Sequence, residues 1–578
     1  MAQKLTVEAT SIRALLADKD ADFLIPDYQR PYAWEEDQCA TLWDDLFSFA
    51  FPNDDCDQFD KKDEYFLGPI VTFKNGNDQH EVIDGQQRLT TIMLLLRAFY
   101  DKFSRMKDKQ SRRMHDMIAA CIWKTDEYDE PDTNELKIDS EVASDADKDE
   151  FLRILREGKV DPAWKSCYAK NFSFFQKRID KLAQEWPSYI ALFSSRIINN
   201  VILLPIEADN QDTALRIFST LNDRGLPLSD ADIFKSQFYK HFSDEGRRPE
   251  FSRRWKALEE GANEILHPLR GTPMDELFTR YMYYRRAKLG ITDTTTQSLR
   301  DFYARDGYAI LREDSSLDDL ERLLGFWQRV DARDGFSDDA LRRLAVMSYA
   351  PNGMWTYLLS VWFLASDRGD GTVDDAALVR LLDLTCAFVW AYAIERPGVN
   401  SLRTPMYPEM VNIVKGEPVT FARHRFSKDE IAGRFRAFQF TNQRAITRSM
   451  LAWWAYRDPE QQLWEQDTTL EVEHVYARKR AEVEPLADRA NLEALGNKAL
   501  LEKRVNIRAA DYRFEDKRKY YLGFTDGNGK QREGTANAEL RRMAQECDDF
   551  TESDIETRTD KIIDVFVGYL RDNGLLKD

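Results

Sequence analysis

Histidine and cysteine are the scarce residues of this chain, six of each in 578. The cysteines stand at 39, 56, 121, 167, 386 and 547, with no Cys-x-x-Cys pair. That scatter excludes a disulfide framework and a thiolate zinc site, and it predicts a reducing, cytoplasmic setting. The opening "MAQKLTVEAT" has no basic-then-apolar leader. Long hydrophobic runs are also missing: "MWTYLLSVWFLA" and "LTCAFVWAYAI" are too short to span a bilayer, so they predict buried helices and no membrane partner. Internal repeats and low-complexity tracts are absent. Positive charge is in deficit, with a net of −19, which on totals argues against phosphate contacts. The charge is segregated, however. Acid concentrates in "KTDEYDEPDTNELKIDSEVASDADKDE", read as a loop, and around "REDSSLDDLE", whereas His474 to Tyr521 holds 12 Lys and Arg against 8 Asp and Glu. Total charge therefore neither supports nor excludes DNA.

What is present suffices for large cores: 43% hydrophobic residues and 12% aromatics in a chain long enough for three or four domains. Three zones are predicted. Residues 1–240 mix strand-like runs ("YFLGPIVTF", "HEVIDG", "NNVILLPIEA") with helices such as "LTTIMLLLRAFYDKF" and "TALRIFSTLNDRG", the latter ending at Gly225. Residues 241–440 read as helical throughout, a scaffold whose aromatics could line a groove. Residues 441–578 open on a helix containing "MLAWWAYRD", pass through the alternating strand "TTLEVEHVY", and close with basic helices. The fold class expected is α+β and predominantly helical.

Two stretches carry candidate chemistry. In "EVIDGQQRLTT", Asp84-Gly85 is a turn signal placed before a helix. A helix N-terminus offers free N–H groups to an anion; Gln86 and Gln87 add amide donors, and Arg88 can fork onto phosphate oxygens. Gly85 allows close backbone approach. A solvated turn with a helix cap explains the same letters. "FLIPDYQRPYAWEEDQ" sets Gln29 and Arg30 among aromatics, either as a second polar group facing the first or as a loop with core rings. "ALRIFSTLNDRGLPLSDADIFKS" carries Asn222, Arg224, Asp232 and Lys235 and reads alone as a helix–turn–helix connection.

The second stretch is "LEVEHVYARKR" with "LGNKALLEKRVN" after it. Cutting a phosphodiester needs a base for water and a metal for the leaving oxygen. A histidine at a strand end, His474, suits the first. The neighbouring carboxylate, Glu473, and an amide oxygen from a following helix suit a hard cation such as Mg²⁺. Arg478, Lys479, Arg480, Lys503, Arg504, Arg508, Lys517 and Arg518 offer contacts to a phosphate backbone, which would position DNA without reading it, or else form a solvated helix face.

The ordered motifs "IPDYQRPYAW", "YFLGPIV", "VIDGQQRLTT" and "IFSTLNDRGLPLSDADIFK" resemble the N-terminal domain of GmrSD-type and SspE-type restriction proteins. That resemblance implies a ParB/sulfiredoxin-like fold in which Asp84, Gly85, Gln86, Gln87 and Arg88 handle GTP or another NTP, with Gln29 and Arg30 beside them. Acid–His, Asn497 and Asn506 are similar to an HNH, or ββα-metal, nuclease site. By that resemblance His474 is the general base, Glu473 and Asn506 hold Mg²⁺ or Mn²⁺, and Asn497 steadies the histidine loop or orients its imidazole. Ala477 stands where that family usually has proline. The expectation is a nucleotide-regulated, metal-dependent endonuclease of a modification-sensing anti-phage system, 1–240 binding nucleotide, 241–440 a spacer and 441–578 the nuclease. Its partners would be phage or modified DNA and a nucleotide, with a homo-oligomer or a further defence component left open. The rival is an NTP-dependent, ParB-like DNA-binding regulator whose HNH segment does not cut.

Overall fold

The computed structural model describes residues 8–577 except 129, 143–146, 212, 215–216, 218–228, 296, 367–370, 397–401 and 511–512. Most of the helix expected to end at Gly225, with Asn222 and Arg224, lies outside the described residues. The chain is mostly helical with a small mixed sheet. It divides into two compact units, Met1–Glu260 and Gly261–Asp578.

The first unit is built on six strands: β1 (Thr10–Ser11), β2 (Phe23–Ile25), β3 (Tyr65–Lys74), β4 (His80–Asp84), β5 (Ile138–Ser140) and β6 (Val201–Ala208). Their order is β1-β6-β3-β4-β2-β5. β3 runs antiparallel to β4 and parallel to β6, and β2 lies parallel to both β4 and β5. The runs "YFLGPIVTF", "HEVIDG" and "NNVILLPIEA" each supply a strand. Helices α1 (Glu36–Ala50), α2 (Gln86–Ser104), α3 (Lys109–Ile122), α4 (Cys167–Glu185) and α5 (Tyr189–Asn200) bury one core, while α6 (Asp230–Asp244) begins at a Ser229–Asp232 capping box. α2 is apolar on nearly every side and is correspondingly enclosed.

One sequence expectation fails here. The acidic stretch 124–150 is not simply a loop: Trp123–Thr125 and Pro131–Leu136 form a hairpin, and β5 closes the sheet edge. Leu136 and Ile138 are buried, which charge-dominated composition concealed.

The second unit carries α7 (Pro273–Lys288), α8 (Asp314–Ala332), α9 (Asp338–Ser348), α10 (Met354–Ser366), α11 (Asp375–Glu395) and α12 (Ala445–Tyr456). Next comes an antiparallel pair, β7 (Leu470–His474) and β8 (Lys498–Glu502), and then α13 (Lys503–Ala509), α14 (Phe514–Leu522), α15 (Ala538–Glu546) and α16 (Glu552–Asp572). α11 extends its apolar run to 21 residues, long and apolar enough by these measures to cross a bilayer, yet 67% of that window is buried in the protein. Trp390 of α11 donates to Ser449 of α12, and Tyr569 of α16 donates to Asp383 of α11. The helices expected as a scaffold thus share one unit with the hairpin.

Candidate active site

β4 ends at Asp84 and α2 begins at Gln86, with Gly85 between them at φ +89°. An added Cβ there would stand 3.0 Å from both Ile70 Cγ1 and the Pro69 carbonyl oxygen, so the close approach requires glycine. α2 has no side-chain cap. The three glutamines are occupied with backbone. Gln29 donates to the Val82 and Ile83 carbonyls at 3.3 and 3.0 Å. Gln86 donates to the Arg30 carbonyl, and Gln87 both accepts from Ala33 N–H at 2.8 Å and donates to the Pro31 carbonyl at 3.0 Å. They tie the "YQRPYAW" segment to the strand–helix joint.

The charged groups of the joint are half-buried. Arg88 donates to the Pro69 carbonyl at 2.6 Å and lies 3.5 Å from Asp84. Its Nε is buried without a hydrogen-bond partner among the described residues. Burial pushes the Asp84 carboxyl up, opposed by the positive charges of Arg88 and Arg30. An uncapped helix start beside two guanidinium groups fits the anionic part of a nucleotide. Lys235, from the third motif, is enclosed 4.0 Å from Glu259, and burial lowers its pKa. Asp232 serves the α6 cap.

In the second unit, cross-strand register sets Lys498 opposite His474. Lys498 is completely buried, and its ammonium reaches Asn442 Oδ1 at 2.6 Å, Glu493 Oε2 at 2.8 Å and His474 Nε2 at 2.8 Å. His474 Nε2 also lies 3.3 Å from Glu493 Oε1, but the shorter contact is with an ammonium, which only donates, so Nε2 accepts and the ring proton belongs on Nδ1. Burial and the Lys498 charge push the His474 pKa down to about 4, with Glu493 opposing. Burial likewise lowers Lys498 to about 8. At neutral pH the imidazole is uncharged, and its Nε2 lone pair faces Lys498.

Alternation along β7 puts Glu471 and Glu473 on the other face. Glu473 Oε1 accepts from Lys517 Nζ at 2.6 Å and from the Tyr521 hydroxyl at 2.9 Å. Asn506, on α13, donates to Glu471 at 2.7 Å. Glu471, Glu473 and Asn506 are hard oxygen donors, and their chemistry fits Mg²⁺ or Mn²⁺. The structure brings Asn506 to Glu471 and holds Glu473 on an ammonium; three residues of strand separate Glu471 from His474, about 10 Å at the usual rise. Asn497 accepts from Tyr476 N–H at 2.7 Å and donates to the Tyr476 and Leu492 carbonyls. Those bonds hold the loop after His474 and do not involve the ring.

The basic residues divide. Lys517 is 1% exposed on Glu473, and Arg480 pairs with Asp549 and Glu484. Both charges are spent within the protein as it stands, and charge runs in the sequence do not reveal which face is enclosed. Arg518 is held by Asp548 and the Ala544 carbonyl. Arg478 joins Glu493, and Arg504 and Arg508 meet Glu533 at the surface, where Lys479 and Lys503 are exposed. Lys498, Glu493, Asn442 and Glu471 were not identified from sequence; only strand register reveals the first.

With this geometry established, two family comparisons are decisive. The model of the GmrSD restriction endonuclease N-terminal domain matches residues 12–239, and that of the C-terminal domain of GmrSD restriction endonucleases matches residues 427–565. The second match contains the whole β7–β8–α13 segment. Together they define a restriction nuclease, with DNA as its partner. The chain belongs to the GmrSD restriction endonuclease family. No curated protein matches it.

Proposed function

We propose that this chain is a cytoplasmic, nucleotide-regulated, metal-dependent endonuclease that senses modified or phage DNA. The observation carrying the nuclease half is an uncharged imidazole, His474, at the end of the first strand of an antiparallel pair followed by a helix bearing Asn506, an arrangement of the ββα type. Glu473, once released from Lys517, and Asn506, bonded to Glu471, would hold one Mg²⁺ or Mn²⁺ on the face of β7 opposite the His474 side chain, and that ion would supply charge neutralisation at the leaving oxygen. His474, neutral at pH 7, is the general base for water. Lys498 covers its acceptor nitrogen, so cleavage requires that ammonium to withdraw. Asn497 keeps the following loop in place.

The Asp84–Arg88 joint is the nucleotide-handling half. Arg88, Arg30 and the α2 amides would bind phosphate, Gly85 admits it, and the glutamines brace the walls. GTP or another NTP bound there would regulate cutting. The rival regulator reading has one observation in its favour: Lys498 on His474 and Lys517 on Glu473 describe a nuclease centre whose groups are all occupied. The separating experiment incubates wild type and Arg88→Ala with supercoiled plasmid and with modified phage DNA, Mg²⁺ and each of the four NTPs. Nicking by wild type that responds to one NTP, with the response lost in Arg88→Ala, supports the enzyme. DNA binding without cleavage under every condition supports the regulator.

A further inference from the structure

The unit Gly261–Asp578 contains a cavity of about 450 Å³ between α7, α8, α9 and the segment running from α12 into β7, and neither half of the proposed function uses it. Its volume is in the range of small-molecule sites, roughly 300–1,000 Å³. We infer that this cavity binds a neutral nucleobase ring, stacked on its aromatic walls and hydrogen-bonded through acceptor atoms.

Trp327, Tyr349, Trp355, Tyr456 and Trp464 line it. Flat rings at this density suit another flat ring, since every base has a π-face. Two wall donors specify the other half of the recognition. Arg280 is 8% exposed, lies over the Trp327 ring at 4.2 Å and gives its Nε to Glu276 at 2.9 Å, but its Nη1 has no partner among the described residues. Trp464 is 6% exposed, and its indole N–H is also buried without a partner. A buried donor left unpaired costs about 1–3 kcal/mol, so two in one wall mark where an acceptor belongs. Both atoms are closed off from solvent, so a guest reaches them only when the guanidinium and the indole turn toward the cavity.

Charge narrows the guest. Arg333, held at φ +56°, gives its Nη1 to the Trp464 carbonyl at 2.7 Å, while Asp331 and Glu465 stand at the exposed rim. The arginines disfavour a cation in the aromatic cage, and the rim carboxylates disfavour a phosphate. A neutral heteroaromatic ring bearing carbonyl or ring-nitrogen acceptors satisfies both. Such a ring reaches a DNA-acting protein as a free nucleoside or as a base turned out of a strand. Leu470 of the lining begins β7, so the cavity adjoins the strand that ends in His474.

The test uses the full chain carrying Arg88→Ala, which disables the joint at Asp84–Gly85, and follows tryptophan fluorescence. One arm titrates guanosine, adenosine, cytidine and thymidine; the other compares a duplex oligonucleotide bearing a central mismatch with its matched counterpart. The expected result is saturable quenching by at least one nucleoside, or tighter binding of the mismatched duplex, weakened about three- to tenfold by Trp464→Phe. If Trp464→Phe alters the circular dichroism spectrum, Tyr349→Leu replaces it, removing a half-buried stacking face. Absence of nucleoside quenching together with equal binding of both duplexes overturns the inference. So does binding that the wall substitution leaves unchanged.

Discussion

Gly85 carries its positive φ where strand meets helix, and an added Cβ would crowd both Ile70 and the Pro69 carbonyl. Gly85→Ala is therefore expected to destabilise the protein by about 1–3 kcal/mol, read as a lowered thermal midpoint; an unchanged midpoint would show that the joint tolerates a side chain. The Lys517–Glu473 pair makes the opposite kind of prediction. Lys517→Met leaves a buried carboxylate without its counter-charge and is expected to cost about 3–5 kcal/mol by denaturant unfolding. A loss near zero would mean that Glu473 finds water or a cation when the ammonium leaves. The motif residues were legible as letters because Asp-Gly before a helix and acid-His at a strand end each have a chemical reason. Their partners were not. Nothing local predicts that Gln29 grips the β4 backbone or that Lys517, in a basic run, points inward.

At the scale of elements, β3, β4 and β6 follow from β-branched and aromatic runs bounded by Gly, Asn and Pro, β7 from alternation, and α2 from one long apolar run. β5 does not: a three-residue edge strand in an acidic stretch has no pattern long enough to recognise, and it is fixed by pairing with β2. Register is the second thing the letters withhold, and it is what places Lys498 against His474. Two outcomes depend on that register. His474 is held neutral with a pKa near 4 against an ordinary 6.5. The unfolded chain therefore takes up a proton first as pH falls, and stability present above pH 6.5 is lost on the way to pH 4. About 2 kcal/mol should disappear between pH 7 and pH 5, and a smaller loss is expected in His474→Gln; equal losses in both proteins would place the titration elsewhere. Lys498→Ala should uncover Nε2 and raise the nicking rate while DNA affinity stays the same. A rate as low as that of a histidine variant would instead make Lys498 part of the cutting machinery.

For the whole molecule, the matched regions at 12–239 and 427–565 bracket helices that no motif illuminated. Those helices belong with the hairpin in one unit, because Trp390, Ser449, Asp383 and Tyr569 join them through buried contacts that lie far apart in sequence. The chain as a whole is acidic, yet its C-terminal matched region presents Lys479, Lys503 and Arg504 outward, so DNA affinity through those three contacts should fall with salt at a log–log slope of about −3. The central claim is that one imidazole cuts DNA. Its most direct measurement is the rate of supercoiled plasmid nicking in Mg²⁺ by wild type and by His474→Ala, with DNA affinity determined for both. The account predicts that the substitution abolishes nicking at unchanged affinity; nicking at the wild-type rate by His474→Ala would contradict it.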